Sequence, residues 1–251
     1  MDASWWILAG GAALAGFVQG LSGFGFGLVA MSIWAWTLDP LVAAACAVFG
    51  ALTGQLLAAF TVRRGVNLAR LAPFVLGGLA GLPFGIWLLP QIDATLFRAL
   101  IGALLALWCP LMLFSGRIPH IHAGDRWADA VVGACGGVAG ALGGFTGPLP
   151  TLWCTLRGFD KDLQRTVIQN FNLALLAATM ASYIATGVVT TALLPQFAVI
   201  APALVLPGLL GARIYVGISP LAFRNVVLSL LTASGVALLA SSLPALAARW
   251  T

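Results

Sequence analysis

Seven stretches of this chain carry no charged residue at all: 3–38, 40–62, 71–92, 99–116, 130–156, 166–212 and 225–248. A helix crosses a bilayer with about 20 apolar residues, so each stretch is long enough to span and 166–212 is long enough to do so twice. Charged residues make up 8% of the chain, where a soluble domain carries about 25%. A water-soluble fold is therefore excluded. The repeated short alternating strands of a membrane barrel are also missing, which leaves an all-α polytopic membrane protein. The opening "MDASWWILAGG" has Asp2 and no basic region, so a cleaved signal peptide is not expected.

The charges that remain exclude several functions. The net charge of +5 comes from basic residues at segment ends, where they set topology; the expected partner is the lipid bilayer, not nucleic acid. Cys46, Cys109, Cys135 and Cys154 stand singly in apolar segments, as small buried hydrophobes do. His120 and His122 lie in the polar stretch "RIPHIH" without acidic or cysteine partners, so no metal site is expected. There is no Gly-x-x-x-x-Gly-Lys motif and no nucleotide domain, and no cofactor is implied. Intramembrane catalysis needs an acidic cluster, a metal set or a Ser/Lys pair, and the spans hold none, so the chain does not read as an enzyme. It has no glutamate and its aspartates sit near segment ends. A proton relay normally leaves a carboxylate within the membrane, so tight proton coupling is not expected.

The chain repeats itself. Shifted by 121 residues, "GFVQGLSGFGFGLVAMSIWAWTLDP" (16–40) lies over "GVAGALGGFTGPLPTLWCTLRGFDK" (137–161), with Gly16 over Gly137, Gly23–Phe24 over Gly144–Phe145 and Asp39 over Asp160. With a five-residue insertion, "LFRALIGALLAL" (96–107) lies over "AFRNVVLSLLTA" (222–233), which matches Gly85 with Gly211 and Arg98 with Arg224. The expected organisation is a first repeat over 1–116, a polar linker over 117–127 and a second repeat over 128–251. Each repeat holds one long glycine-broken segment followed by three ordinary spans.

Charge bears on whether the broken segments cross. If all eight segments cross, the twelve basic residues divide six to six. If both broken segments enter and leave on one side, Arg63, Arg64, Arg70, Arg117, Arg126, Arg157, Lys161, Arg165, Arg213 and Arg224 share a face, and only Arg98 and Arg249 oppose them. The second arrangement obeys the positive-inside rule and makes the loops with Arg63/Arg64 and Arg117/Arg126 cytoplasmic. Three true crossings per copy also orient the copies oppositely, the inverted-repeat plan of many transporters. The expectation is two re-entrant or V-shaped hairpins of half-helices.

Broken backbone is tolerated at membrane depth only inside protein or beside a water-filled cavity. In "GGFTGPLPTLW" a half-helix is expected to start near Gly147, since proline suits a first helical turn. Two such helix starts facing each other offer an anion site without buried cations. The candidate binding residues are Gln19, Ser22, Gly23, Phe24 and Gly25 from the first break, with Gly143, Gly144, Phe145, Thr146 and Gly147 from the second. Gln169 and Asn172, three apart in "QRTVIQNFNLALL", extend the set along the following helix; interhelical hydrogen bonding is their alternative role. Arg98 and Arg224, at opposite faces, are candidates for two vestibules or for interfacial anchors.

The doubled "GxSGFGFGLVA" and "GxxGGFTGPLPTLW…RGFDKDLQRTVIQNFN" resemble the TauE/SafE family over nearly the whole chain. That resemblance implies a bacterial plasma-membrane exporter of sulfite or related sulfur-containing anions and organosulfonates, with two related repeats and about eight hydrophobic segments. A secondary transporter of a small oxyanion is the leading expectation, and an anion channel of the same architecture is the alternative. An inside-negative potential contributes about 2.3 kcal/mol per charge per 100 mV, enough to drive anion export unaided.

Overall fold

The computed structural model describes residues 3–22, 25–61, 65–114, 125–214 and 220–248, with the backbone alone at 3, 61, 161, 213, 214 and 220–224. The chain is helical, with no strand among these residues. Its elements are α1 (Ala3–Ser22), α2 (Phe26–Trp34), α3 (Pro40–Thr61), α4 (Leu68–Leu88), α5 (Ala94–Leu113), α6 (Arg126–Gly143), α7 (Pro148–Leu156), α8 (Lys161–Ala185), α9 (Leu194–Ile214) and α10 (Pro220–Ala247). Among the described residues seven helices (α1, α3, α4, α5, α8, α9 and α10) are long and apolar enough to span a bilayer.

The few polar residues outside the spans fix where helices begin. Asp39 Oδ1 accepts the Leu41 N–H at 3.0 Å beside the start of α3, and Asp93 accepts from Leu96 at 2.8 Å to cap α5. Asp125 takes the N–H groups of Trp127 and Ala128 at the start of α6, Asp160 those of Asp162 and Leu163 at α8, and Asn67 caps α4. Each cap satisfies N–H groups that have no partner within the helix and contributes about 1 kcal/mol. Asp125 starts α6 at Arg126, inside the expected 117–127 linker. The long uncharged stretch 166–212 divides where α8 ends at Ala185 and α9 begins at Leu194.

The two short helices fold back on the helices before them. The Trp34 indole, at the end of α2, donates to the Ile7 carbonyl of α1 at 3.3 Å and lies over Gly11, where a side chain would collide with it. In the second half Asp129, in the first turn of α6, accepts from the Trp153 indole at 2.7 Å and from Arg157 at 3.0 Å. Each hairpin thus ends beside its own beginning. The arms are unequal, which corrects the expectation of paired half-helices. α1 has 20 residues and α6 has 18, about 30 and 27 Å at 1.5 Å per residue; only α2 and α7, with nine each, are of half-span length. The reason is local: from Ala3 to Ser22 there is no proline or charge to end the helix, so the break falls late.

Packing ties the halves together. α1 lies against α9 and α4 against α6, α5 pairs with α10 and α3 with α8, and α4 touches α8 as α3 touches α9. Exchanging α1–α5 for α6–α10 in order maps each of these pairs onto another or onto itself. Small residues allow the closest approaches. A Cβ on Gly16 would lie 2.6 Å from the Leu204 carbonyl oxygen, and one on Gly85 would lie 2.7 Å from that of Val138. Gly137 and Gly211, their matches across the repeat, sit as tightly on the Gly78 and Phe17 carbonyls. The centre is α3, whose residues Ala43–Val48 are all fully buried, as expected of a helix enclosed on every side. Large apolar side chains such as Phe60, Leu107 and Leu206 cover the outside, where lipid replaces water as their solvent.

Candidate functional site: a cavity between the hairpin tips

The tips of the two hairpins meet. A Cβ on Gly27 would lie 2.6 Å from the Gly143 carbonyl oxygen, and one on Gly144 would lie 3.4 Å from that of Ala47 on α3. A glycine with positive φ stands at each tip: Gly25, before α2, at +98°, and Gly144, after α6, at +72°. Both conformations are left-handed and cost other residues about 1–2 kcal/mol. Beside the tips is a small, partly open cavity. Gln19 of α1 and Gly25–Leu28 line it from the first break, and Gly144–Pro148 line it from the second. Ala51 and Gln55 of α3 close one wall, and Asn172 and Leu176 of α8 close the other.

Both short helices point their first turns at this space, and neither carries the side-chain cap that α4, α5, α6 and α8 have. The first intrahelical bond of α2 runs from Val29 N–H to Gly25 at 3.1 Å, so the N–H groups of Phe26, Gly27 and Leu28 have no acceptor within the helix. In α7 the first such bond runs from Thr151 to Gly147 at 2.9 Å. There Pro148 and Pro150 have no N–H to offer, and only Leu149 remains in the first turn. Side chains supply what the prolines remove. Thr146, buried, donates its hydroxyl to Asn172 Oδ1 at 2.8 Å. That bond sets the amide orientation and turns the two Nδ2 donors toward Gly147, where an added Cβ would lie 3.1 Å away. Across the cavity Gln19 Nε2 donates to the Ala51 carbonyl at 3.1 Å. No charged side chain is among the lining residues, so the site is built of dipoles: amides, a hydroxyl and two positive helix ends.

Of the residues singled out from sequence, Gln19, Gly25, Gly144, Phe145, Thr146, Gly147 and Asn172 line this cavity. Three do not. Ser22 is exposed, and its hydroxyl donates back to Val18 at 2.7 Å. Gly143 packs against Phe145 and Met31. Gln169 is buried but lies one turn before the lining stretch of α8; its three-residue spacing from Asn172 fixes a shared face, not a shared depth. Gly23 and Phe24 lie outside the described residues, as do Arg63, Arg64, Arg117, His120 and His122. Arg98 is away from the cavity, with its Nε bonded to the Ala94 carbonyl at 3.2 Å, and of Arg224 only the backbone, within α10, is described.

Residues not singled out complete the lining: Phe26, Gly27, Leu28, Ala51, Gln55, Pro148 and Leu176. The repeat carries their signal. The 121-residue offset maps 51 onto 172 and 55 onto 176, so the two walls are equivalent positions with polarity exchanged: alanine faces asparagine, and glutamine faces leucine. A sequence profile described as "Sulfite exporter TauE/SafE" matches residues 8–238. No curated protein and no solved structure matches the chain. On a match of that extent, the chain belongs to the TauE/SafE sulfite exporter family.

Proposed function

We propose that this multi-pass membrane protein is a secondary exporter of sulfite or a related sulfur-containing oxyanion across the bacterial plasma membrane, with the cavity between the hairpin tips as its binding site. One observation carries the reading: two uncapped helix starts and a set of neutral amide and hydroxyl groups converge on one cavity that no charged side chain lines. Such a site stabilises negative charge with fixed dipoles and releases it readily, as a transporter requires. The family supports the substrate class.

The reading includes inverted topology. Each hairpin returns to the end at which it began, and that arrangement leaves ten of the twelve basic residues on one face. The glycine-mediated contacts suggest which parts move. They join α9 to the α1–α2 hairpin and α4 to the α6–α7 hairpin, so each moving body takes helices from both repeats. Rocking these bodies about the cavity would open it to each side in turn.

The test is sulfite flux into proteoliposomes. Gly25→Leu and Gly147→Leu, at normal expression and insertion, are expected to abolish it. Normal rates in both variants would defeat the binding-site reading, and unitary currents in place of saturable flux would make the protein a channel.

A further inference from the structure

Among the described residues one buried side-chain nitrogen or oxygen has no hydrogen-bond partner, and it belongs to a cavity-lining residue: Gln19 Oε1. Buried polar atoms are nearly always paired, and leaving an acceptor unpaired costs about 1–3 kcal/mol. The amide cannot relieve this by turning over. Its Nε2 is held by the Ala51 carbonyl at 3.1 Å, and reversal would set oxygen against oxygen. Nor can it withdraw easily, because it lies flat on α3 at Gly54, where a side chain would overlap it. Gln19 itself is 6% exposed, so bulk water does not reach it.

Asn172, whose Oδ1 is taken by Thr146, and the first turn of α2, whose N–H groups have no acceptor within the helix, line this cavity, while Gln19 Oε1 lacks a donor. A fully ionised oxyanion has none to give. It is also poorly matched in charge: the cost of desolvating an ion grows with the square of its charge, about fourfold for a dianion, and no cation lines the cavity to offset it.

We infer that this cavity selects a hydrogen oxyanion, a monoanion that keeps one O–H, and that Gln19 Oε1 is the acceptor that recognises that hydrogen. The inference rests on the export reading above and narrows its substrate to a protonation state. For sulfite it means that the hydrogen form is carried.

Binding to the purified protein tests it by titration calorimetry with two probes, sulfite and methanesulfonate, the second a monoanion without a donor. No titratable side chain is among the lining residues. Of the elements packed on α1, α2 has none, α3 has Cys46, and α9 has Arg213, whose side chain is not described; α7 and α8, which form the other wall, place none in the lining. Above the second ionisation of sulfite, its apparent affinity is expected to fall about tenfold per pH unit while that of methanesulfonate stays level. Gln19→Met, which keeps the length but removes the acceptor together with the Nε2 donor to Ala51, is expected to lower sulfite affinity about tenfold more than methanesulfonate affinity, with a cooperative thermal unfolding transition showing that the variant is folded. Sulfite affinity that is flat or rises with pH overturns the inference. So does an equal loss for both probes, the result expected if a resident water occupies Oε1. If Gln19→Met binds neither probe, the wild-type pH profile decides alone; if the wild-type protein binds neither, the anion site falls with it.

Discussion

The two hairpins share a plan and differ in how they are closed and what they offer. The α1–α2 hairpin is fastened by a neutral bond from the Trp34 indole to a backbone carbonyl. The α6–α7 hairpin is fastened by a buried ion pair, Asp129 with Arg157, joined by the Trp153 indole on the same carboxylate oxygen. Arg157 lies over the rings of Trp153 and Phe159 at 5.8 Å, and Arg70 of α4 approaches Phe159 from 5.6 Å. At the tips the contrast turns round. The first hairpin presents three backbone N–H groups and almost no side chain. In the second, two prolines take backbone donors away, and the Asn172 amide of α8, held by the Thr146 hydroxyl, supplies donors instead. The two hairpins are thus fastened by different bonds and line the cavity with different groups.

That contrast can be broken experimentally, and the fastening is where the effect is largest. Asp129→Leu leaves Arg157 buried without its partner and is expected to destabilise the protein by about 3–5 kcal/mol, read as a lower midpoint of thermal unfolding in detergent. Adding Arg157→Met should restore most of the loss; no recovery would mean that the carboxylate matters through Trp153 alone. In the first hairpin Trp34→Phe removes one hydrogen bond and part of a fully buried ring and should cost about 2 kcal/mol, less than the loss of Asp129. Next come the glycines. Gly25→Ala has open space, its nearest neighbour being Ser22 Oγ at 3.9 Å, so its expected cost of about 1–2 kcal/mol is backbone strain and appears as lost stability. Gly147→Ala is the reverse case. With φ −78° it carries no strain, but its methyl crowds Asn172, so flux should fall at little cost in stability. Equal behaviour of the two variants would contradict the distinction.

Much of the fold was legible because membrane helices announce themselves by what they lack. The uncharged runs marked the spans, and Asp39, Asp93, Asp125 and Asp160 stand at segment ends because they cap helices there. Asp129 and Arg157 escaped notice for the same reason: near segment ends both read as topology markers, and nothing in a separation of 28 residues says that they touch. Gly147 declared a helix start through the prolines after it. Gln55 was hidden because its repeat partner, Leu176, is apolar and drew no attention to the position. The lengths of α1 and α6 were misjudged because glycines that break a helix and glycines that pack one look alike in sequence; Gly11 and Gly16 do the second.

The central claim is that an anion rests where the two tips meet, and equilibrium binding tests it most directly. Titration of purified protein with sulfite, compared among the wild type, Ala51→Leu and Asn172→Leu, probes equivalent positions on the two walls of one cavity. The account predicts a single saturable site in the wild type and a loss of about tenfold or more in Asn172→Leu, from the amide donors removed. A comparable or smaller loss is predicted in Ala51→Leu, from crowding. Wild-type affinity in both variants, with the protein folded, would place the anion elsewhere and leave the two hairpin tips as packing alone.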